Sequence, residues 1–241
     1  MSIRTIFVSG SNQGEPEFNI SGLGMNAVHQ LAATPNVLVF MGSRKLAAAE
    51  EARAKFASDI HASSSVVPVQ LDLCDTESIK NAHDSVAKVL KEKNLGLDVL
   101  VNNAAVAGAF TEVYAVNVIG TAALTEAMLP LINKGGAILN ISSELGSLIH
   151  FTKRPPPPIH LAYSSSKAAL NSLTLQWGIQ EEEKGSGIRV VSICPGFNAT
   201  KLNGYTGTMQ PSEGAKFIVK NALEKDGKSS VFIHANGEYP W

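Results

Sequence analysis

Thr5-Ile6-Phe7-Val8-Ser9-Gly10-Ser11-Asn12-Gln13-Gly14 runs from a β-branched apolar stretch directly into a glycine-rich turn, and a helical pattern opens soon after at Gly22-Leu23-Gly24. A strand, a tight turn and a helix in that order make the first half of a βαβ unit. Working outward, similar apolar runs recur at residues 37–41, 66–70, 99–102, 137–142, 189–194 and 231–234. Several are apolar throughout, as parallel strands covered on both faces are. Helix-period patterns separate them. Leu46, Ala49, Ala52, Phe56 and Ile60 form one. Ile79, Ala82, Val86 and Val89 or Leu90 form another, with Asp75 or Thr76 as N-cap, and Ala215, Ile218, Val219, Ala222 and Leu223 follow Pro211-Ser212. This alternation predicts an α/β fold: a doubly wound parallel sheet of about seven strands with helices on both faces, Rossmann-type. No repeat or linker interrupts the 241 residues, so a single domain over residues 1–241 is expected.

Composition narrows the partners. Twenty Lys+Arg against 21 Asp+Glu leave a formal charge of −1, which supplies no attraction toward nucleic acid or an anionic membrane. No apolar run approaches the roughly 18 residues of a membrane helix, and residues 1–8 enter a strand pattern without a cleavable leader. Cys74 and Cys194 fit no metal or redox spacing; two buried free thiols in a reducing, cytoplasmic setting are expected. None of the six histidines has ligand spacing, so no metal is expected, and His29 and His83 read as surface residues. The run Glu181-Glu182-Glu183-Lys184 reads as a solvated helix end.

Glycines Gly10, Gly14 and Gly24 let a backbone turn sharply and approach a pyrophosphate, which a helix N-terminus favours. Twenty residues beyond Gly24, Ser43-Arg44 stands where an acidic residue would accept the ribose hydroxyls of NAD. Arginine there offers a charge-assisted seat for a 2′-phosphate, so NADP is expected over NAD, with NAD still usable. Asp72, between Leu71 and Leu73, closes the third run and is placed to accept from an adenine amino group.

Tyr163-Ser164-Ser165-Ser166-Lys167 puts a phenol and an ammonium on one helical face, one turn apart. The ammonium is expected to lower the phenol's pKa from about 10 and make it a usable proton donor. Ser142-Ser143 ends the fifth run, Asn102-Asn103-Ala104-Ala105 the fourth, and Cys194-Pro195-Gly196-Phe197-Asn198-Ala199-Thr200 the sixth; Asn117 falls in the helix after the fourth. All lie at strand carboxyl ends or just beyond, where open α/β sheets bind ligands.

With these residues in view the chain resembles the short-chain dehydrogenase/reductase superfamily, in its carbonyl-reductase-like branch, over nearly its full length. The resemblance implies hydride transfer from NADPH to a ketone or aldehyde, with Tyr163 as acid/base, Ser143 orienting the carbonyl, Lys167 lowering the tyrosine's pKa and holding the nicotinamide ribose, and Asn117 supporting a water in a proton relay. The expected cofactor set is Gly10, Asn12, Gly14, Leu23, Gly24, Ser43, Arg44, Asp72, Leu73, Asn103, Ala104, Pro195, Gly196, Asn198 and Thr200, with Tyr163 and Lys167.

Three departures stand out. The glycine loop carries eight extra residues within positions 15–22, including Glu15 and Glu17, whose charges would oppose a pyrophosphate if they point inward. The interval from Asn103 to Asn117 is short, and Ala105 replaces a glycine. A segment with Pro155-Pro156-Pro157-Pro158 precedes Tyr163, forming a stiff rim or a plain spacer beside His150, Phe151, Ile159 and His160. The altered glycine loop keeps a second reading open, a catalytically impaired homologue acting as a nucleotide sensor or scaffold. Trp177, Leu170, Leu173 and Leu175 make the Tyr163 helix apolar on more than one face, which points to a homodimer or homotetramer.

Overall fold

β1 (Arg4–Val8) lies in the interior of the sheet because both halves of the chain pair with it. The computed structural model describes residues 2–11, 22–153 and 158–241. Asn12, Gly14, Glu15, Glu17 and Pro155 to Pro157 lie outside the described residues. The remaining strands are β2 (Val37–Ser43), β3 (Ser65–Gln70), β4 (Leu97–Asn102), β5 (Ile132–Ile141), β6 (Arg189–Ile193), β7 (Val231–His234) and β8 (Gly237–Glu238). Their order is β3-β2-β1-β4-β5-β6-β7-β8, parallel throughout except for the antiparallel β7–β8 pair. The expected doubly wound sheet is present, with an eighth strand too short to leave a period in the sequence.

The apolar runs divide their side chains between two layers. Ile6, Val8, Val39, Met41, Val99, Val101 and Leu139 enter one core; Phe7, Leu38, Phe40, Leu100, Ile138 and Val190 enter the other. That is the two-residue period of a strand buried on both faces. Helices α1 (Leu23–Ala32), α2 (Leu46–Lys55) and α7 (Pro211–Leu223) cover the first face. The second is covered by α3 (Thr76–Glu92), α5 (Thr121–Met128) and α6 (Leu161–Glu183). Asp75 caps α3 as expected, its Oδ1 accepting from the Glu77 amide at 3.0 Å. The pattern after β2 breaks earlier than its periodicity suggests, since α2 ends at Lys55 and a short 3-10 turn, Ala57–Asp59, follows.

After β4, α4 (Phe110–Tyr114) continues through a π-helical turn, Ala115–Gly120, into α5. The helical stretch Phe110–Leu131 is long and apolar enough to cross a bilayer by length and composition alone, although Glu112, Asn117 and Glu126 interrupt it and no continuous apolar run of that length is present. Its Val113, Leu124 and Met128 are nonetheless buried in the protein. Two further expectations are corrected. Cys74 is exposed and only Cys194 is buried. Glu181 is buried rather than solvated, because Lys184 one turn on pairs with it at 2.6 Å.

Candidate active site

β1 sends the chain to one face of the sheet and β4 to the other, so their following loops part and open a crevice at the strands' carboxyl ends. A cleft of about 490 Å³ occupies it, running from Gly10 and Arg44 at one end to Ser143, Tyr163 and Lys167 at the other. Its size falls in the range of small-molecule sites. Its walls also contain Leu23, Gly24, Ser43, Asp72, Leu73, Asn103, Ala104, Pro195, Gly196, Asn198 and Thr200. Within the described residues, the expected set therefore converges on one cleft, with Asn117 the exception.

The turn after β1 is held from the β4 side. Asn103 Nδ2 donates to the carbonyls of Ser9 and Gly10 at 2.9 and 3.1 Å, while the amides of Asn103 and Ala104 donate to Ser9 Oγ. Gly10 has φ +65°, and a Cβ there would lie 2.6 Å from Ala104 Cα. A Cβ on Gly24 would come within 2.7 Å of the Gly10 carbonyl oxygen, so the α1 terminus sits tight against this turn. Gly22, the N-cap of α1, has no side-chain cap bond. The first-turn amides of a ten-residue helix therefore meet the cleft with no side chain of their own N-cap bound to them.

Next to this end, Arg44 is exposed on the cleft wall. Ser43 departs from its expected part. It is buried, and its hydroxyl donates to the Lys45 carbonyl at 2.8 Å and accepts from the Lys45 amide, so it shapes the turn that presents Arg44. Asp72 faces the cleft too, but its Oδ1 accepts from the Cys74 amide at 2.9 Å and bends the loop after β3.

At the other end Tyr163 and Lys167 share the first turns of α6 as their spacing requires. Lys167 is only 2% exposed; its Nζ donates to the Ile141 carbonyl at 2.7 Å and lies 5.7 Å from the Tyr163 ring centroid. Burial pulls its pKa down to about 8. Tyr163 moves opposite to expectation. Although the ring keeps a surface on the cleft, desolvation, with a smaller contribution from the Cys194 thiol, pushes the phenol up to about 12; a hydrogen bond from Ser143 pulls the other way. The lysine, itself desolvated and bonded to a backbone carbonyl, does not offset this.

Asn117 lies in the π-helical turn and is 1% exposed. Its Oδ1 accepts from the Val106 amide at 2.9 Å, and its Nδ2 donates to the Val106 carbonyl and to Ser166 Oγ. This staple holds the short stretch after Ala105 against α6, and the side chain has no place in the cleft wall. The loop after β6 is folded on itself: Asn198 Nδ2 donates to the carbonyls of Pro195 and Gly196, and Thr200 and Asn203 cap each other. Leu145, His160, Phe197 and Leu202 complete the wall near Tyr163. His160 and Phe197 stand in motifs already singled out, whereas Leu145 and Leu202 carry no signal in the sequence.

The model of the family described as short chain dehydrogenase matches residues 19–211. A short-chain dehydrogenase of Penicillium roqueforti, anuI, is 30% identical over 92% of this chain and 90% of its own length. An NADPH carbonyl reductase of Macaca fascicularis is 26% identical over 99% of each. Among solved structures, the NADPH-bound carbonyl reductase from chicken fatty liver aligns over 100% of both chains with a TM-score of 0.80 and 30% identity.

Proposed function

The chain belongs to the short-chain dehydrogenase family, in its carbonyl-reductase-like branch, and from that premise we propose that this oxidoreductase reduces a ketone or aldehyde with NADPH, Tyr163 supplying the proton. The observation that carries this reading is the single cleft joining Arg44 and the α1 terminus to Ser143, Tyr163 and Lys167. The chemistry of its walls suits such a cofactor: helix amides and a guanidinium for phosphates at one end, and a hydroxyl, a phenol and an ammonium at the other. When bound, NADPH supplies the hydride.

The chain's own residues do the rest. Ser143 donates to the substrate carbonyl oxygen and holds it near the phenol. Tyr163 gives that oxygen its proton, and a phenol at about 12 is fully protonated at neutral pH, as reduction requires. Lys167, charged below about 8, would hold the cofactor's ribose against the reacting end of the cleft. Asn117 acts through position, setting the Val106 stretch beside the cofactor half of the cleft. Leu145, Phe197 and Leu202 give the substrate end an apolar lining suited to an uncharged carbonyl compound. One domain carries the whole site, and a cytoplasmic setting, which keeps the exposed Cys74 reduced, completes the reading.

Titrating the purified protein with NADPH and following nicotinamide fluorescence tests it: saturable binding supports the reading, and no binding at hundreds of micromolar ends it. Arg44→Ala should then weaken NADPH binding by about 10-fold to 100-fold while barely changing NADH. Equal losses for the two cofactors would remove Arg44 from the phosphate seat. Exposed Phe110, Ile119, Leu161 and Ile179 on the 110–128 helical stretch and on α6 support a homodimer or homotetramer. Light scattering should give a mass at least twice that of one chain, and a monomer alone refutes it.

A further inference from the structure

The helix stripe that carries Tyr163 and Lys167 does not stop at the cleft. Asn171 follows Lys167 by one turn, and Thr174 continues the same face; they are 3% and 0% exposed. Both enter a buried chain of side-chain hydrogen bonds that crosses three strands beneath the cleft. Asn102 Nδ2, at the end of β4, donates to Asn140 Oδ1 on β5 at 2.8 Å. Asn140 Nδ2 donates to Thr174 Oγ1 at 2.8 Å, and Thr174 Oγ1 meets Ser192 Oγ on β6 at 3.1 Å. Ser192 Oγ donates to Asn171 Oδ1 at 2.8 Å, and Asn171 Nδ2 donates to the Gly146 carbonyl at 3.2 Å.

Thr174 Oγ1 also donates to the Leu170 carbonyl of its own helix at 2.8 Å, so its one proton is held there and not passed along the chain. The directed limb is the one that starts at Ser192, whose single hydroxyl proton goes to Asn171 Oδ1 while Asn171 Nδ2 donates to Gly146, two bonds that polarise one another. The far end is informative. Gly146 closes the 3-10 turn Glu144–Gly146 that begins at Ser143, whose Oγ accepts from the Leu145 amide. A Cβ on Gly146 would lie 2.9 Å from the carbonyl carbon of Lys167. The Ser143 turn is thus pressed against α6 at Lys167 and tethered to α6 at Asn171, while Tyr163 stands one turn before Lys167 on the same helix. The chain's other end, Asn102, precedes Asn103 and Ala104, which hold the glycine turn of the cofactor half.

We propose that Asn171 and Ser192 are positioning residues: through the Gly146 carbonyl they fix the Ser143 turn on α6 and so set the separation between the Ser143 hydroxyl and the Tyr163 phenol. The proposal rests on the reductase reading for its catalytic consequence but not for its structural one. Neither residue lines the cleft, so neither touches substrate or cofactor.

The test uses Ser192→Ala, which removes one hydroxyl and leaves the strand intact, and Asn171→Leu, which removes both ends of the tether. Hydrogen exchange in the full-length protein should accelerate at the turn amides of residues 145–147 in both variants, with β1, β2 and α1 unchanged. With NADPH and a carbonyl substrate, kcat should fall about fivefold for Ser192→Ala, as loss of one hydrogen bond predicts, while the NADPH dissociation constant stays constant. Ser192→Thr, which keeps the donor, should recover kcat. Unchanged exchange at residues 145–147, or acceleration spread evenly over α6 and β6, overturns the proposal. So does an equal loss in Ser192→Thr, because a packing role would treat the two variants alike. A wild-type protein that reduces no carbonyl refutes the reductase reading, and the exchange experiment still decides the tether. If Asn171→Leu does not fold, Ser192→Ala and Ser192→Thr carry the test alone.

Discussion

Replacing Tyr163 by phenylalanine is expected to lower kcat by about a thousandfold, the scale of losing a positioned proton donor, and to leave NADPH affinity within about twofold. The ring surface on the cleft survives this change and only the hydroxyl is lost, so binding and chemistry separate cleanly. Single-turnover reduction measured beside a fluorescence titration checks both halves. An unchanged kcat would remove Tyr163 from the mechanism. The pH profile of the unmodified protein reports on the raised phenol. Burial holds it at about 12, so the reductive kcat should show no decline attributable to phenol ionisation from pH 6 to 10. A decline near pH 8 would follow Lys167 instead.

Lys167→Met is expected to abolish most turnover and yet strengthen the fold at neutral pH. The lysine is almost wholly buried, and its folded-state pKa, about 8, lies below the ordinary 10.5. Between those values the unfolded chain binds the extra proton, so wild-type stability rises with pH through this window. Below about 8 the full penalty of a buried ammonium applies, partly offset by its bond to the Ile141 carbonyl. Methionine carries no charge and feels none of this. In urea denaturation, the stability difference between variant and wild type should therefore shrink by about 3 kcal/mol from pH 7 to pH 10.5. A difference independent of pH would show that the lysine ionises as it does in water. Kinetically, kcat should fall about a hundredfold or more as the ammonium that holds the cofactor's ribose in place disappears.

How much of this could be read in advance varies with how local each cause is. The Tyr163–Lys167 face depends only on helical spacing, and the strands from β1 to β7 announce themselves by apolar runs flanked by turns. The direction of the phenol's pKa depends on Ser143, Cys194 and the packing of α6, which belong to separate elements meeting only in the fold. Asn117 stands at the position the resemblance assigns it, but its side chain serves Val106, and the π-helical turn around it has no composition of its own. Ser43 and Asp72 were legible in a different sense. A serine or aspartate two residues before a free backbone amide commonly binds it, and both do so here. Glu181 was hidden by its neighbours, since a run of three glutamates reads as solvated although one of them turns inward to pair with Lys184. The buried chain from Asn102 to Gly146 joins five side chains from four elements, and no window of sequence contains it.

The two-residue β8 has a consequence for the protein at high concentration. A parallel sheet ends in strands whose outer amides and carbonyls invite another chain to add on. Here β8 pairs with β7 in the opposite sense and covers that border with Glu238, whose carboxylate pairs with Lys228. At the opposite border β3 contains Pro68, aligned with Met41 of β2, and a proline contributes no amide proton to a ladder. Each margin of an otherwise uninterrupted apolar sheet thus carries a feature that disfavours the addition of a further strand.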